Sequence, residues 1–223
     1  MSLVYRERLA SGDAAGLLVL HHGRGADEND LLGLADALDP HRRLHVVTPR
    51  APLTLHGWPG YHWYTVPRVG HPDPATFEDA RRELAAFHDD TSKRTGIEAS
   101  RTVLAGFSMG AVMSYTIGLS GERPLPAGIL AFSGFVPTVE GWQPDLASRR
   151  ELPVFIAHGR SDPVIDVGFG RRAHELLTAA GLPATYLESD VAHQIDPAHI
   201  RPASEWLAAA TGERATDGPS GRS

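Results

Sequence analysis

The sequence predicts a single α/β domain in which a mostly parallel central sheet carries helices on both faces. Two observations predict it: short apolar runs alternate with segments of helical period along nearly the whole chain, and most of the runs are apolar on both faces. With 223 residues the chain has room for one domain with a full core. We place this domain at residues 1–210 and expect residues 211–223, which lack a large apolar side chain, to form a disordered tail.

Six runs are predicted as strands of this sheet. They are Leu17–His21, Leu44–Thr48, Thr102–Gly106, Gly128–Ser133, Val154–His158 and Ala184–Glu188. Short runs that are apolar on both faces are typical of strands enclosed between two layers of helices. Because helical segments lie between most of these runs, we expect parallel pairing through right-handed crossovers.

Five segments are predicted as helices. They are the apolar stripes within 31–38, 77–87, 173–180 and 203–210, and the segment 109–119 that follows a strand. Gly96 and Gly181 fit C-terminal caps, and Asp196–Pro197 fits an N-cap followed by proline. Residues 50–74 are rich in proline, glycine and aromatic side chains and are too long for a plain connection, which indicates a functional loop.

Composition and charge exclude several classes of protein. Apolar residues make up 42% of the chain, which argues against general disorder, and the net charge of −6 without a basic run argues against a nucleic-acid partner. Cysteine is absent, so disulfides, thiolate metal sites and a cysteine nucleophile are excluded. We expect a cytoplasmic protein that does not insert into membranes, because neither an export signal nor a long apolar segment is present.

The segment Gly106–Gly110 is the first candidate for chemistry. It reads Gly-Phe-Ser-Met-Gly and joins a predicted strand to a predicted helix, which is the setting of a nucleophile elbow. In such a turn the serine hydroxyl is held above the edge of the sheet, close to the positive end of the helix dipole. The alternative interpretation is that Ser108 merely caps the helix.

A serine nucleophile needs an imidazole to take its proton. Four histidines follow the elbow: His158, His174, His193 and His199. His174 and His199 fall in helical patterns, and His158 ends a strand, where we expect a packed residue beside the site. His193 lies in the loop after the last strand and is our candidate base, since a loop at that place reaches the carboxyl edge of the sheet.

The imidazole in turn needs a carboxylate that fixes its tautomer. Asp162 lies in the loop after the strand Val154–His158, at the same edge of the sheet. Asp166 and Asp190 are rivals, and Asp162-Pro163 is also a common way to start a turn. Residue type alone leaves these alternatives open.

An oxyanion hole needs two backbone N–H groups, one of which belongs to the residue after the nucleophile, Met109. The second is expected from the glycine-rich loop His21–Asp27 after the first predicted strand. The paired histidines of that loop, with Asp27 and Asp30, could also suggest a metal site. Their spacing does not converge on one ligand position, so we expect neither a metal nor another cofactor.

Five motifs in order make the chain similar to a known family. They are carried by His22–Leu31, Leu104–Gly110, Phe132–Pro137, His158–Val164 and Ala192–His193. From about residue 16 to residue 210 the chain resembles the phospholipase/carboxylesterase family of small α/β-hydrolases, which includes bacterial carboxylesterases, lysophospholipases and acyl-protein thioesterases. The resemblance implies Ser108 as nucleophile, Asp162 as orienting acid and His193 as base.

The resemblance further implies that Arg24 and Met109 supply the oxyanion N–H groups, and that Trp63, Tyr64 and Val164 contact the substrate. Trp63 and Tyr64 belong to the aromatic segment Gly60–Tyr64, which matches a loop of bacterial members. The family usually has glutamine where this chain has Met109, so the subfamily stays open.

We therefore expect a single α/β-hydrolase domain without a separate lid that hydrolyses short-chain carboxylic esters through an acyl-enzyme. The expected partner is a small acyl ester, and homodimer formation is left open. A lysophospholipase or acyl-protein thioesterase with the same triad is one alternative. A ligand-binding protein that keeps the pocket without turnover is an alternative from a different class.

Overall fold

The computed structural model describes residues 3–212. Of the predicted tail, Thr211 and Gly212 continue the last helix as a turn, in which the Thr211 N–H donates to the Leu207 carbonyl over 3.1 Å. The rest of the predicted tail, residues 213–223, lies outside the described residues.

A seven-stranded sheet forms the centre of the described chain. Its strands are β1 Tyr5–Arg8, β2 Gly16–His21, β3 Leu44–Pro49, β4 Thr102–Phe107, β5 Gly128–Phe132, β6 Val154–Gly159 and β7 Ala184–Ser189. They are arranged in the order β1-β3-β2-β4-β5-β6-β7, and every neighbouring pair is parallel except the antiparallel pair β1 and β3. The six predicted strands and their parallel pairing are confirmed.

Helices cover both faces of this sheet, as predicted. They are α1 Leu32–Leu38, α2 Pro74–Thr95, α3 Met109–Gly118, α4 Gly168–Ala179 and α5 Ile200–Ala210. The buried side chains of α2, α3 and α4 share one apolar cluster, and those of α1 and α5 share the other. Successive strand residues such as Leu17 and Leu18 alternate between the two clusters, because the side chains of a strand point to opposite faces.

The edge strand β1 was not predicted, because its sequence Tyr-Arg-Glu-Arg has no apolar alternation. It is held by pairing with β3 and by the buried side chain of Arg8, which donates to the Asp39 carboxylate. These partners are distant in sequence, so the pattern of β1 alone could not reveal them. Its antiparallel pairing leaves the other six strands as the parallel sheet that positions the site.

The ends of the helices follow the predicted capping residues closely. Gly96 caps α2 with a φ of +70°, and Gly181 follows the end of α4 with a φ of +86°. Asp196 caps a 3₁₀ turn, Pro197–His199, which leads directly into α5. Within residues 3–212, no helix combines the length and the apolar character needed to cross a membrane.

Candidate active site

Ser108 lies in the tight turn between β4 and α3, with a φ of +56° that is rare for a residue with a side chain. Glycines make this turn sterically feasible. A Cβ on Gly110 would lie 1.9 Å from the His21 carbonyl oxygen, and one on Gly106 would lie 2.4 Å from the Gly110 carbonyl carbon. The Ser108 side chain forms no capping hydrogen bond with α3, so the alternative interpretation as a helix cap is not supported.

The Ser108 hydroxyl is the first member of a chain of hydrogen bonds. Its Oγ lies 2.8 Å from Nε2 of His193, and Nδ1 of the same ring lies 2.6 Å from Oδ2 of Asp162. Ser108 and Asp162 are buried, and the His193 side chain is 17% exposed. The structure thus brings together the three residues that the sequence suggested as nucleophile, base and acid.

The rival carboxylates have other partners. Asp166 accepts a hydrogen bond from the Gly168 N–H over 2.8 Å at the start of α4, and Asp190 pairs with Arg160 at 2.6 Å on the surface. His158 is buried beside the site, as expected, with its Nε2 2.8 Å from the Ile165 carbonyl oxygen. None of these side chains takes the place of Asp162 against His193.

The loop that carries His193 is supported from two sides. The His193 ring packs on Phe107, the residue before Ser108, with ring centroids 4.9 Å apart. Below it, a Cβ on Gly159 would lie 2.3 Å from the Val191 carbonyl oxygen, so only glycine lets the loop approach the end of β6 this closely. No pattern in the sequence indicated that Phe107 packs against the imidazole.

The glycine-rich loop after β2 approaches Ser108 from the opposite side. A Cβ on Gly23 would lie 3.5 Å from the Ser108 Cβ, so the backbone at Gly23 and Arg24 is next to the hydroxyl. Within residues 3–212, no hydrogen bond occupies the backbone N–H of Arg24 or of Met109. Both N–H groups are therefore free to bind an oxyanion, the role suggested for them by sequence.

His22 and Trp63 hold this loop in place. His22 Nδ1 donates to the Gly23 carbonyl over 2.7 Å, and its Nε2 accepts from the Ala51 N–H over 3.0 Å. Burial lowers the pKa of His22, which favours the neutral ring that this pattern requires. The indole N–H of Trp63 donates to the His22 carbonyl over 2.9 Å.

Trp63 was expected to contact the substrate, and the structure does not place it there. It is almost fully buried behind the wall of the cavity, where its backbone N–H donates to the Met109 sulfur over 3.3 Å. The thioether of Met109 thus accepts a hydrogen bond at the position where the family usually has glutamine. Trp63 positions the oxyanion loop and Met109 and does not line the cavity, because both of its N–H groups are directed at the protein.

A cavity of about 510 Å³ opens beside Ser108. Tyr64 and Val164, both expected at the substrate, line it together with Arg24, Met109 and His193. Further apolar walls come from side chains that the sequence analysis did not assign: Val66, Val69, Phe135 and Ile165. The cavity is therefore apolar except at the hydroxyl, the imidazole and its rim.

The paired histidines do not form a metal site with their neighbours. The ring nitrogens of His22 are engaged as above, and those of His21 lie 2.8 Å from Ser114 Oγ and 3.3 Å from His88 Nε2. Within the described part of the chain, no group of three or more ligating side chains is placed to hold a metal ion.

Comparison with known proteins identifies the family of this chain. The family model for Phospholipase/Carboxylesterase matches residues 9–211. Acyl-protein thioesterase 1 of Emericella nidulans is 27% identical over 71% of this chain and 72% of its own length. The crystal structure of esterase PE8 superposes with a TM-score of 0.80 at 30% identity, covering 94% of this chain and all of that one. The carboxylesterase of Bacillus cereus also reaches 0.80, at 25% identity over 93% and 94% of the two chains. The chain is therefore a hydrolase that belongs to the phospholipase/carboxylesterase family and has its α/β-hydrolase fold.

Proposed function

We propose that this protein is a serine carboxylesterase that hydrolyses short-chain carboxylic esters through an acyl-enzyme. The observation that carries the proposal is the unbroken chain from Asp162 through His193 to Ser108, with separations of 2.6 and 2.8 Å. A serine hydroxyl is a weak nucleophile at neutral pH, and an oriented imidazole is what activates it. Esterase PE8, whose fold this chain shares at 30% identity, supports the same reaction class.

In the proposed mechanism, Ser108 Oγ attacks the ester carbonyl carbon while His193 Nε2 takes the hydroxyl proton. Asp162 holds the proton of Nδ1 and stabilises the imidazolium that forms. The backbone N–H groups of Arg24 and Met109 bind the oxyanion of the tetrahedral intermediate. His193 then protonates the leaving alcohol. A water molecule, activated by the same imidazole, hydrolyses the acyl-enzyme and regenerates Ser108.

The shape of the cavity supports short acyl groups. Between β5 and β6 the described chain forms only the short 3₁₀ segment Leu146–Arg149 and an isolated bridge between Val139 and Trp142, so this connection contains no separate lid domain. Val164 and Trp58, on the walls of the cavity, are more than half exposed. A long chain would leave methylenes in water, and each of them contributes about 0.8 kcal/mol only when it is buried.

Thioesters are the second candidate substrates, because acyl-protein thioesterases are among the relatives of this chain. The same hydroxyl, imidazole and N–H groups act on either bond, since both reactions pass through a tetrahedral intermediate. A screen of matched oxygen and sulfur esters with acyl chains of increasing length separates the two candidates.

The test of the proposal is incubation with 4-nitrophenyl butyrate at neutral pH. We expect nitrophenol release to continue through many turnovers at a rate proportional to protein concentration. A single stoichiometric burst, or no release, would instead favour a ligand-binding protein that retains the pocket. An exposed-site variant, Ser148→Ala, should match the parent protein and serves as a control for preparation and folding.

A further inference from the structure

Arg24 places an unpaired positive charge at the rim of the cavity. Its side chain is exposed, its guanidinium carbon lies 4.0 Å from the centre of the Trp58 indole, and both residues line the cavity. Within residues 3–212 no carboxylate forms an ion pair with Arg24. Arg50 shows the contrast, because it also lies on an aromatic ring, that of Tyr61, yet donates twice to Glu28 over 2.6 Å.

The stacked position leaves Arg24 able to bind an anion. A guanidinium that rests on an aromatic face keeps its N–H groups at the edge of its plane, where they match the two oxygens of a carboxylate. The indole restricts the side chain before any ligand arrives, so that less conformational entropy is lost on binding. Arg24 is therefore a preorganised cation that has no carboxylate partner within the described residues.

Two further arginines near the cavity also lack a carboxylate partner within the described chain. Arg68 is exposed between Val66 and Val69, which line the cavity. Arg172 lies over Phe169 in a neighbouring groove that shares the wall residue Phe135. In a chain of net charge −6, unpaired cations around one cavity favour the approach of negatively charged molecules.

We propose that the substrate is an ester that also bears a carboxylate, and that the Arg24 side chain binds this carboxylate. The inference rests on the proposed esterase function and names its substrate class. The backbone N–H of Arg24 is assigned to the oxyanion, so its side chain can bind an anion only a few atoms away from the ester carbonyl. Arg24 is thereby a specificity-determining residue.

Asp30 provides an independent test of the proposed electrostatic attraction between the cavity rim and a substrate carboxylate. It is exposed and lines the same cavity as Arg24. Its carboxylate repels an anionic substrate, so removing its charge should act in the opposite direction to removing that of Arg24. The remaining titratable groups at the cavity are His193 and Tyr64, and burial raises the pKa of Tyr64, which keeps the phenol neutral.

The experiment compares kcat/KM for two matched pairs of esters. One pair carries the charge on the alcohol part, 4-(butyryloxy)benzoate against its neutral benzamide. The other carries it on the acyl part, 4-nitrophenyl adipate monoester against 4-nitrophenyl hexanoate. Each protein is measured with both members of a pair, so a loss of activity common to both esters cancels in the ratio.

We expect the parent protein to prefer the charged ester in at least one pair. We expect Arg24→Gln to lower that ratio about fivefold and Asp30→Asn to raise it, with both effects weaker at high salt. Arg94→Gln removes a guanidinium that lies over Tyr5, away from the cavity, and should leave the ratio unchanged.

Three results would contradict the inference: a preference for the neutral ester in both pairs, no preference in either pair, or an unchanged ratio in Arg24→Gln. Failure of the parent protein to turn over any of the four esters would instead contradict the proposed esterase function on which the inference rests. The two failures are therefore distinguished by whether the parent protein turns over any of the four esters.

Discussion

Asp162 holds His193 with one carboxylate oxygen while the backbone fixes the other. Oδ2 lies 2.6 Å from His193 Nδ1, and Oδ1 accepts the N–H groups of Val164 and Ile165, each over 2.8 Å. The loop after β6 thus sets the direction of the carboxylate before it meets the imidazole. A carboxylate at Nδ1 requires the proton on that nitrogen, which leaves Nε2 free to accept from Ser108.

Asp162→Asn should reduce kcat on an activated ester by about 10⁴-fold at neutral pH, because an amide N–H facing the ring favours the wrong imidazole tautomer. The matched controls are Asp166→Asn and Asp190→Asn, whose carboxylates bind the Gly168 N–H and Arg160 instead. Both should stay within about tenfold of the parent protein. Circular dichroism checks that each variant is folded. A large loss of kcat in Asp166→Asn or Asp190→Asn, together with an active Asp162→Asn protein, would show that the acid is misassigned.

Gly110→Ala should destabilise the elbow strongly, because the new Cβ would lie 1.9 Å from the His21 carbonyl oxygen. Relief of this clash requires a shift of the backbone on one side or the other. We expect a loss in unfolding free energy of about 3 kcal/mol or more, measured by urea denaturation. Gly33→Ala, in helix α1, is the control, since a Cβ at this position would have no atom within 4 Å. This substitution should stabilise the helix by about 0.5–1 kcal/mol. Equal stability of the two variants would contradict the steric account.

Buried histidines should make the fold lose stability as the pH falls from 7 to 5. Burial lowers the pKa of His88 to about 3 and that of His21 well below its usual value. Below a pH of about 6.5 the unfolded chain therefore binds protons that the folded chain does not, so the free energy of unfolding decreases with the pH. Glu28 and Glu188, with pKa values of about 2, add their own loss only below their usual range near 4.5.

The variant His88→Leu tests the contribution of His88 to the pH dependence of the free energy of unfolding. Its free energy of unfolding should fall less between pH 7 and pH 5 than that of the parent protein, because one group no longer titrates differently in the two states. His41→Gln, at an exposed position, should keep the parental slope. A parental slope in His88→Leu would refute the assignment to His88, whatever the absolute stability of the variant.

Specificity constants for 4-nitrophenyl esters should be highest for short acyl chains and should not rise steadily from butyrate to palmitate. The cavity of about 510 Å³ is not covered by a lid within the described chain, and its rim residue Val164 is 52% exposed. A steady increase with chain length would show that the aromatic loop forms an acyl groove instead. Esters with the same leaving group keep the chemistry constant across the series.

The sequence was sufficient to predict those features that depend on neighbouring residues along the chain. Strand and helix periods predicted the parallel sheet and its helices, and the position of Ser108 between β4 and α3 predicted the elbow. It also placed His193, Asp162 and the rival carboxylates Asp166 and Asp190 near one edge of the sheet, because the loops that follow parallel strands meet there, and the resemblance to the family favoured Asp162 among them. The sheet, the helices and the elbow needed only the order of elements along the chain and the rules of α/β connection.

The sequence was insufficient where a side chain's role depends on distant partners. The polar strand β1 is stabilised by the ion pair between Arg8 and Asp39, and no periodicity of its own sequence indicates this contact. Trp63 and Tyr64 are neighbours in one aromatic segment, yet the first lies behind the cavity and the second lines it. Only the arrangement in space showed that Phe107 supports the imidazole and that Arg24 lies on Trp58.

The kcat of Ser108→Ala on 4-nitrophenyl butyrate tests the central claim most directly. We predict a fall of about 10⁴-fold or more, with the thermal midpoint nearly unchanged, because within residues 3–212 the Ser108 hydroxyl bonds only to His193 and forms no capping hydrogen bond. The residual rate would then come from binding and from the two backbone N–H groups. Retention of a tenth of the parental kcat by a correctly folded Ser108→Ala protein would contradict the account.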